Sequence, residues 1–195
     1  MGSPVVAGSR PSAALLLLLV FVALTAGGAA DAATFVVTNA CPFRVWLAAV
    51  PAGGGGLLEP GETWVIALPA GTTSGRIWGR TDCHFAGEHG ACGTGDCAGA
   101  LRCQLSGKPP ATLAEFTLAA SVAGEDFYDV SVVDGFNLPM DFACDDGKAG
   151  GLQAPPIRCS DPACAGANLR PGEGKVRTCT PGSDYRVVFC PEGYY

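Results

Sequence analysis

Ten cysteines, all at or after position 41, limit most strongly what this chain can fold into. An even number of cysteines in a chain that folds in an oxidising compartment predicts five disulfides and no free thiol. His84 and His89 lie beside Cys83 and Cys92, but the neighbouring cysteines lack the paired CxxC spacing of zinc sites. We therefore expect no metal and no other cofactor. The cysteines are Cys41, Cys83, Cys92, Cys97, Cys103, Cys144, Cys159, Cys164, Cys179 and Cys190.

The N-terminus predicts export from the cytosol. Arg10 is followed by an apolar run from Leu15 to Ala26, which is short for a membrane span, and residues 30–32 fit a small-x-small cleavage site. We expect a cleaved signal peptide at 1–32, one domain at 33–195 and no membrane anchor. The net charge of -6 at pH 7 does not favour nucleic acid or anionic membranes as partners.

The rest of the chain has the pattern of an all-β domain. Runs of β-branched and aromatic residues alternate with Gly/Pro turns, and no stretch has a sustained helical period. Turns are expected at 51–56, 59–61 and 181–183. The pattern favours a β-sandwich or a flattened barrel. The predicted strands are 34–38, 43–50, 63–68, 75–80, 112–118, 127–133 and 185–189.

Carboxylates are the candidates for chemistry, because the sequence has no Gly-x-Ser-x-Gly elbow and no phosphate-binding loop. Alternation along 113–118 points Ala114, Phe116 and Leu118 to the core and Glu115 outward. Asp129 and Asp134 lie in and after the next predicted strand, and Arg80 is a plausible counter-ion. Such a set could bind sugar hydroxyls or act on a glycosidic bond, although its spacing alone favours ordinary exposed strand residues.

Residues 90–103, GACGTGDCAGALRC, closely resemble the signature of thaumatin-like proteins, the pathogenesis-related family five of plants. Further matching blocks run in family order at 39–46, 69–73, 76–83, 113–116, 126–131, 134–140 and 185–191. Long family members have sixteen cysteines and a second, loop-rich domain. The ten cysteines here resemble the short form of cereals and other monocots, with that second domain reduced.

The resemblance implies a flattened β-sandwich of about ten or eleven strands and an acidic ligand cleft. Arg80, Glu115, Asp129 and Asp134 match four of the five cleft residues of the family, while Gly166 stands where the fifth, an aspartate, is expected. The resemblance also implies the disulfides Cys41–Cys190, Cys83–Cys92, Cys97–Cys103, Cys144–Cys179 and Cys159–Cys164.

The resemblance further implies a secreted, monomeric defence protein of the apoplast with an antifungal role. Its expected partner is the β-1,3-glucan of fungal cell walls, bound through the four cleft residues without firm catalytic activity. One alternative is a weak endo-β-1,3-glucanase, with Glu115 as the acid and Asp129 or Asp134 as the second carboxylate. Another is inhibition of a microbial xylanase, a glycoside hydrolase.

Overall fold

The computed structural model describes residues 32–121, 123–145 and 154–192, and these contain thirteen strands and no helix. All but the last residue of the predicted signal peptide at 1–32 lies outside the described residues. The strands are β1 (Ala33–Asn39), β2 (Val45–Val50), β3 (Gly54–Leu58), β4 (Thr63–Leu68), β5 (Gly75–Arg80), β6 (His84–Ala86), β7 (His89–Ala91), β8 (Leu113–Thr117), β9 (Asp126–Ser131), β10 (Met140–Asp145), β11 (Ile157–Cys159), β12 (Arg177–Cys179) and β13 (Asp184–Phe189).

Two sheets pack face to face, which confirms the all-β prediction. One sheet has the order β11-β10-β13-β1-β4 and the other β12-β9-β8-β5-β2-β3, while β6 and β7 form a separate hairpin. The strand pair β1 and β13 is parallel, and the other pairs in both sheets are antiparallel. Phe35 of β1 contacts Phe116 of β8 with ring centroids 4.4 Å apart, and both lie in the buried core between the sheets.

Every predicted strand is present, with ends shifted by no more than two residues. The predicted turn at 51–56 is wrong in its second half, because residues 54–56 belong to β3. This strand runs at the edge of its sheet beneath the segment 97–103. A Cβ on Gly55 would lie 2.3 Å from the Leu101 carbonyl oxygen, so only glycine fits there. The number of strands, thirteen, exceeds the expected ten or eleven because several strands have only three residues.

The structure contains five disulfides, and their pairing is the one that the resemblance implies. Cys41–Cys190 joins the residues that follow β1 and β13, and Cys144–Cys179 connects a strand of each sheet. The Cys97–Cys103 disulfide closes a loop over the outer face of the six-stranded sheet. Its sulfurs lie in a second apolar cluster with Trp78, Ala48 and Val50.

The segment around this disulfide, residues 95–106, is called the covering segment below, and it divides the outer face of the six-stranded sheet. The buried Trp78 donates its indole N–H to the Gly95 carbonyl oxygen at 2.8 Å, so the segment is fixed directly above the middle of β5. The sheet is left open near Arg76, at the start of β5, and near Trp46, which pairs with the last residue of β5. The outer face therefore offers two separate open regions.

Candidate functional site: an acidic cleft on the outer face

Three charged residues lie side by side on adjacent strands at the first open region. Arg76 of β5 is the register partner of Glu115 on β8, and Glu115 is the partner of Asp129 on β9. Ala114 and Phe116, which flank Glu115, are buried in the core, so the predicted outward orientation of Glu115 is confirmed. Since neighbouring strands lie about 4.8 Å apart, the row of three side chains spans about 10 Å.

Arg76 and Glu115, the first two residues of this row, form an ion pair. Arg76 Nε lies 2.9 Å from Glu115 Oε1, and the two side chains are 34% and 27% exposed. Arg76 also donates from Nη1 to the Ser106 hydroxyl at 2.6 Å. The guanidinium is therefore held between strand β8 and the covering segment, and it fixes the orientation of the Glu115 side chain.

Asp129 is the most perturbed carboxylate of the row. The pKa of Asp129 is raised to about 6, mainly by burial and also by the nearby Glu115 charge, while a hydrogen bond from Asn168 opposes both effects. Asn168 donates from Nδ2 to Asp129 Oδ1 at 2.9 Å and accepts from the Lys175 amide at 2.9 Å. The segment 168–175 is thereby fixed against the row and forms a wall of the cleft.

Two depressions meet at the Arg76–Glu115 pair, and both are lined by these two residues. One has a volume of about 230 Å³ and adds Asp134 and Asn168, and the other has about 270 Å³ and adds Asp129. The structure thus places Glu115 at both depressions, with Asp134 in the first and Asp129 in the second. Phe127 and Val176, which are 44% and 47% exposed, give the larger depression an apolar rim.

Arg80 does not lie in this cleft, so the structure corrects its expected place as the counter-ion. Its side chain is fully buried at the other end of β5, about 13 Å along the strand from Arg76. Burial lowers its pKa to about 10, against the attraction of Asp96. The guanidinium donates to four backbone carbonyl oxygens, those of Trp46, Leu47, Ala100 and Leu101.

The sequence pattern could have included Arg76, because alternation places residues 76, 78 and 80 on one face of β5. Which arginine the covering segment would bury was not visible in the pattern. Asn168 was also missed, since it lies in a loop without a recognised motif. Gly166, the expected fifth position, is exposed and lies against β11, where its Cβ would contact Ile157 and the Arg158 backbone. The same loop reaches Asp129 with Asn168.

A protein-family sequence model described as "Thaumatin family" matches residues 39–173, about two thirds of the chain. The chain is a member of the thaumatin family. A thaumatin-like protein of Oryza sativa subsp. japonica is 51% identical over 185 residues, covering 94% of this chain and 99% of that protein. Thaumatin-like pathogenesis-related protein 4 of Avena sativa is 51% identical over 177 residues, 90% of this chain and 95% of that protein.

Among solved structures, the thaumatin-like xylanase inhibitor TLXI is similar, with a TM-score of 0.62 and 34% sequence identity. The match covers 80% of this thaumatin-family chain and 99% of the inhibitor. Together with the pathogenesis-related relatives, this similarity supports a defence role. The disulfide-rich fold is typical of proteins that mature in the secretory pathway.

Two further observations concern residues 32–121, 123–145 and 154–192 of this thaumatin-family member. These ranges hold no group of three or more His, Cys, Asp or Glu side chains arranged to bind a metal ion. They also contain no helix with the length and apolar character needed to cross a membrane.

Replacing Asp129 by asparagine should stabilise the protein at neutral pH but not at acidic pH. The folded-state pKa of about 6 lies above the ordinary 3.8, so the fold favours neutral Asp129. This contribution is present below pH 4 and is lost as pH rises through 6. The gain in the free energy of unfolding from Asp129→Asn should therefore grow over this pH window to ~1 kcal/mol. This figure allows for solvent screening of a carboxylate that is only partly buried. Urea unfolding of both proteins from pH 4 to 7.5 measures it, and a pH-independent difference would contradict the expectation.

Proposed function

We propose that this thaumatin-family protein is a secreted, apoplastic defence protein that binds the β-1,3-glucan of fungal cell walls through the acidic cleft. The observation that carries the proposal is the row Arg76–Glu115–Asp129, with Asp134 beside it. Carboxylates are strong acceptors for sugar hydroxyls, and the exposed Phe127 offers an apolar surface to the C–H face of a sugar ring. The apolar run at 15–26 and the five disulfides support export.

Binding without efficient hydrolysis fits the cleft better than catalysis does. Hydrolysis of a glycosidic bond needs a proton donor and a second carboxyl at a defined separation around a firmly held sugar. The two depressions are small, with volumes of about 230 and 270 Å³, and Gly166 supplies no carboxylate at the fifth position. In a residual glucanase, Asp129, with its raised pKa, would be the acid and the ion-paired Glu115 the second carboxylate, the reverse of the roles expected from the sequence.

Replacing Glu115 by glutamine should weaken glucan binding by roughly tenfold or more, because hydrogen bonds to a charged acceptor are worth about 1.5–3 kcal/mol. The measurement is a calorimetric titration of the disulfide-intact protein with laminarihexaose, followed by chromatography of the sample. Glu88→Gln is the matched control, since Glu88 forms an exposed ion pair with Arg102 outside the cleft.

Saturable heat that is lost in Glu115→Gln and kept in Glu88→Gln, with no shorter products, supports the binding function. Shorter products with the wild type would make the chain a glucanase, and Asp129→Asn should then abolish cleavage. A wild-type titration without heat would reject both glucan functions for the cleft.

A second candidate, inhibition of a microbial xylanase, is supported by the similarity to the solved xylanase inhibitor along nearly its whole length. The test is the residual activity of a panel of microbial xylanases at increasing concentrations of this protein. Loss of activity with a stable complex on size-exclusion chromatography supports the candidate. Unchanged activity across the panel rejects it.

A further inference from the structure

The second open region of the outer face is a cavity of about 810 Å³, larger than either depression of the acidic cleft. It shares no lining residue with the two depressions of the acidic cleft. This volume falls in the range of about 300–1,000 Å³ that is typical of small-molecule sites. The residues that carry the argument below are Phe43, Arg44, Trp46, Glu59, Asp82 and His84.

Two aromatic rings contribute to the apolar surface of this cavity. Phe43 is 43% exposed although it lies only two positions after the buried Cys41, and Trp46 is half-buried on β2. The Trp46 ring packs on Phe85 with centroids 4.7 Å apart, and Phe85 in turn lies under the Arg80 guanidinium at 5.2 Å. The loop carrying Phe43 is fixed because the buried Asn39 donates to the Phe43 carbonyl oxygen at 2.9 Å.

The polar groups of the cavity have nearly balanced charges. Arg44 Nε lies 2.9 Å from Glu59 Oε1, so this pair is neutral as a unit and provides hydrogen-bonding groups at the rim. Asp82 adds one negative charge, and His84 lies beside it, exposed at the start of β6. Such a set does not select an anion or a polycation. It matches a neutral ligand with many hydroxyl groups.

Asp82 is held in an unusual backbone conformation that directs it to this rim. Its φ of 52° lies in the left-handed region, which non-glycine residues adopt at a cost and often at functional sites. Gly93 makes this possible, since a Cβ there would lie 3.0 Å from the Asp82 Cβ. Among the described residues, neither the Asp82 carboxylate nor the His84 imidazole has a hydrogen-bond partner within the protein.

We propose that this cavity is a second carbohydrate site, independent of the acidic cleft, that binds the pyranose rings of a neutral oligosaccharide. The C–H face of a sugar ring carries partial positive charge and stacks on the negative faces of Phe43 and Trp46. Its hydroxyls donate to Asp82 and Glu59 and accept from Arg44 and His84. Since the acidic cleft lies on the same sheet, one polysaccharide could be held at two places with higher avidity than at either alone.

The test is a two-dimensional NMR titration of the disulfide-intact protein with laminarihexaose and, separately, with xylohexaose. We expect one of these neutral oligosaccharides to shift the indole N–H signal of Trp46. Phe43→Ala should weaken that binding roughly tenfold, as expected for a lost stacking contact. Leu105→Ala is the matched control, because Leu105 is 67% exposed and lines neither cavity.

A Trp46 signal that neither oligosaccharide moves would overturn the proposal, as would an affinity that Phe43→Ala leaves unchanged. Broadening of this signal by a xylanase alone would also overturn it and would make the cavity a protein-contact surface. Glu115→Gln should leave the Trp46 shift intact, so loss of the shift in that variant would contradict the independence of the two sites. The dispersed NMR spectrum of Phe43→Ala shows whether that variant is folded.

Discussion

Replacing Arg80 by methionine should lower the free energy of unfolding by at least about 3 kcal/mol, a large part of the 5–15 kcal/mol of a typical domain. Methionine fills similar space but has no donor for the four backbone carbonyl oxygens that the guanidinium binds. A buried acceptor left unpaired costs about 1–3 kcal/mol. The result is measured by guanidinium unfolding, with near-ultraviolet circular dichroism reporting the packing of Trp78 under the covering segment.

Arg76→Met is the matched control for this prediction, because it makes the same change on the same face of β5. The ion pair between Arg76 and Glu115 is partly exposed, so its removal should lower the free energy of unfolding by less than about 1 kcal/mol. Glucan binding should fall in Arg76→Met, since Glu115 is no longer oriented. Equal destabilisation by the two substitutions would contradict the assignment of Arg80 to structure and Arg76 to the cleft.

Removing the Cys41–Cys190 disulfide by a double alanine substitution should cost about 5 kcal/mol in the chain-entropy treatment. The two residues are 149 positions apart, so the bond removes much freedom from the unfolded chain. Both cysteines are 1% exposed and lie in the core next to the parallel pair β1 and β13. The measurement is the free energy of unfolding from guanidinium denaturation, with the m-value of each variant fitted separately because the unfolded chain without this disulfide is more expanded.

The Cys159–Cys164 pair provides the control, because its residues are only 5 positions apart. The same treatment gives about 2 kcal/mol for so short a loop. A loss for the long loop that does not exceed the loss for the short one would contradict the entropic account. It would indicate that local packing around the sulfurs determines the contribution of each disulfide.

The carboxylates of the cleft were named through the family resemblance, because their spacing alone favoured ordinary exposed strand residues. Period-two alternation directs Glu115 away from the core formed by Ala114 and Phe116, and the register of β8 and β9 then places Asp129 beside it. Asp134 follows the same strand into the adjoining depression. Residues on neighbouring strands of one hairpin come together without any knowledge of the rest of the fold.

The arginine of the cleft could not be chosen in this way. Arg76 and Arg80 have the same orientation on β5, so alternation treats them alike. The difference between them is that the Cys97–Cys103 segment returns over Arg80 and provides carbonyl oxygens for its guanidinium. That contact joins residues about 20 positions apart across a loop, and no local pattern encodes it.

The amino-acid sequence by itself determined the all-β class, the positions of the main strands and, through its family motifs, the pairing of the cysteines. The class and the strands depend on alternation and on turn residues, which are local patterns, whereas the pairing of the cysteines was implied by the family resemblance. Only the tertiary structure decided which arginine lies in the cleft, that Asn168 donates a hydrogen bond to Asp129, and that Phe43 and Trp46 line a second cavity. Each of these depends on the path of a loop over a sheet, and that path is set by packing between residues far apart in the chain.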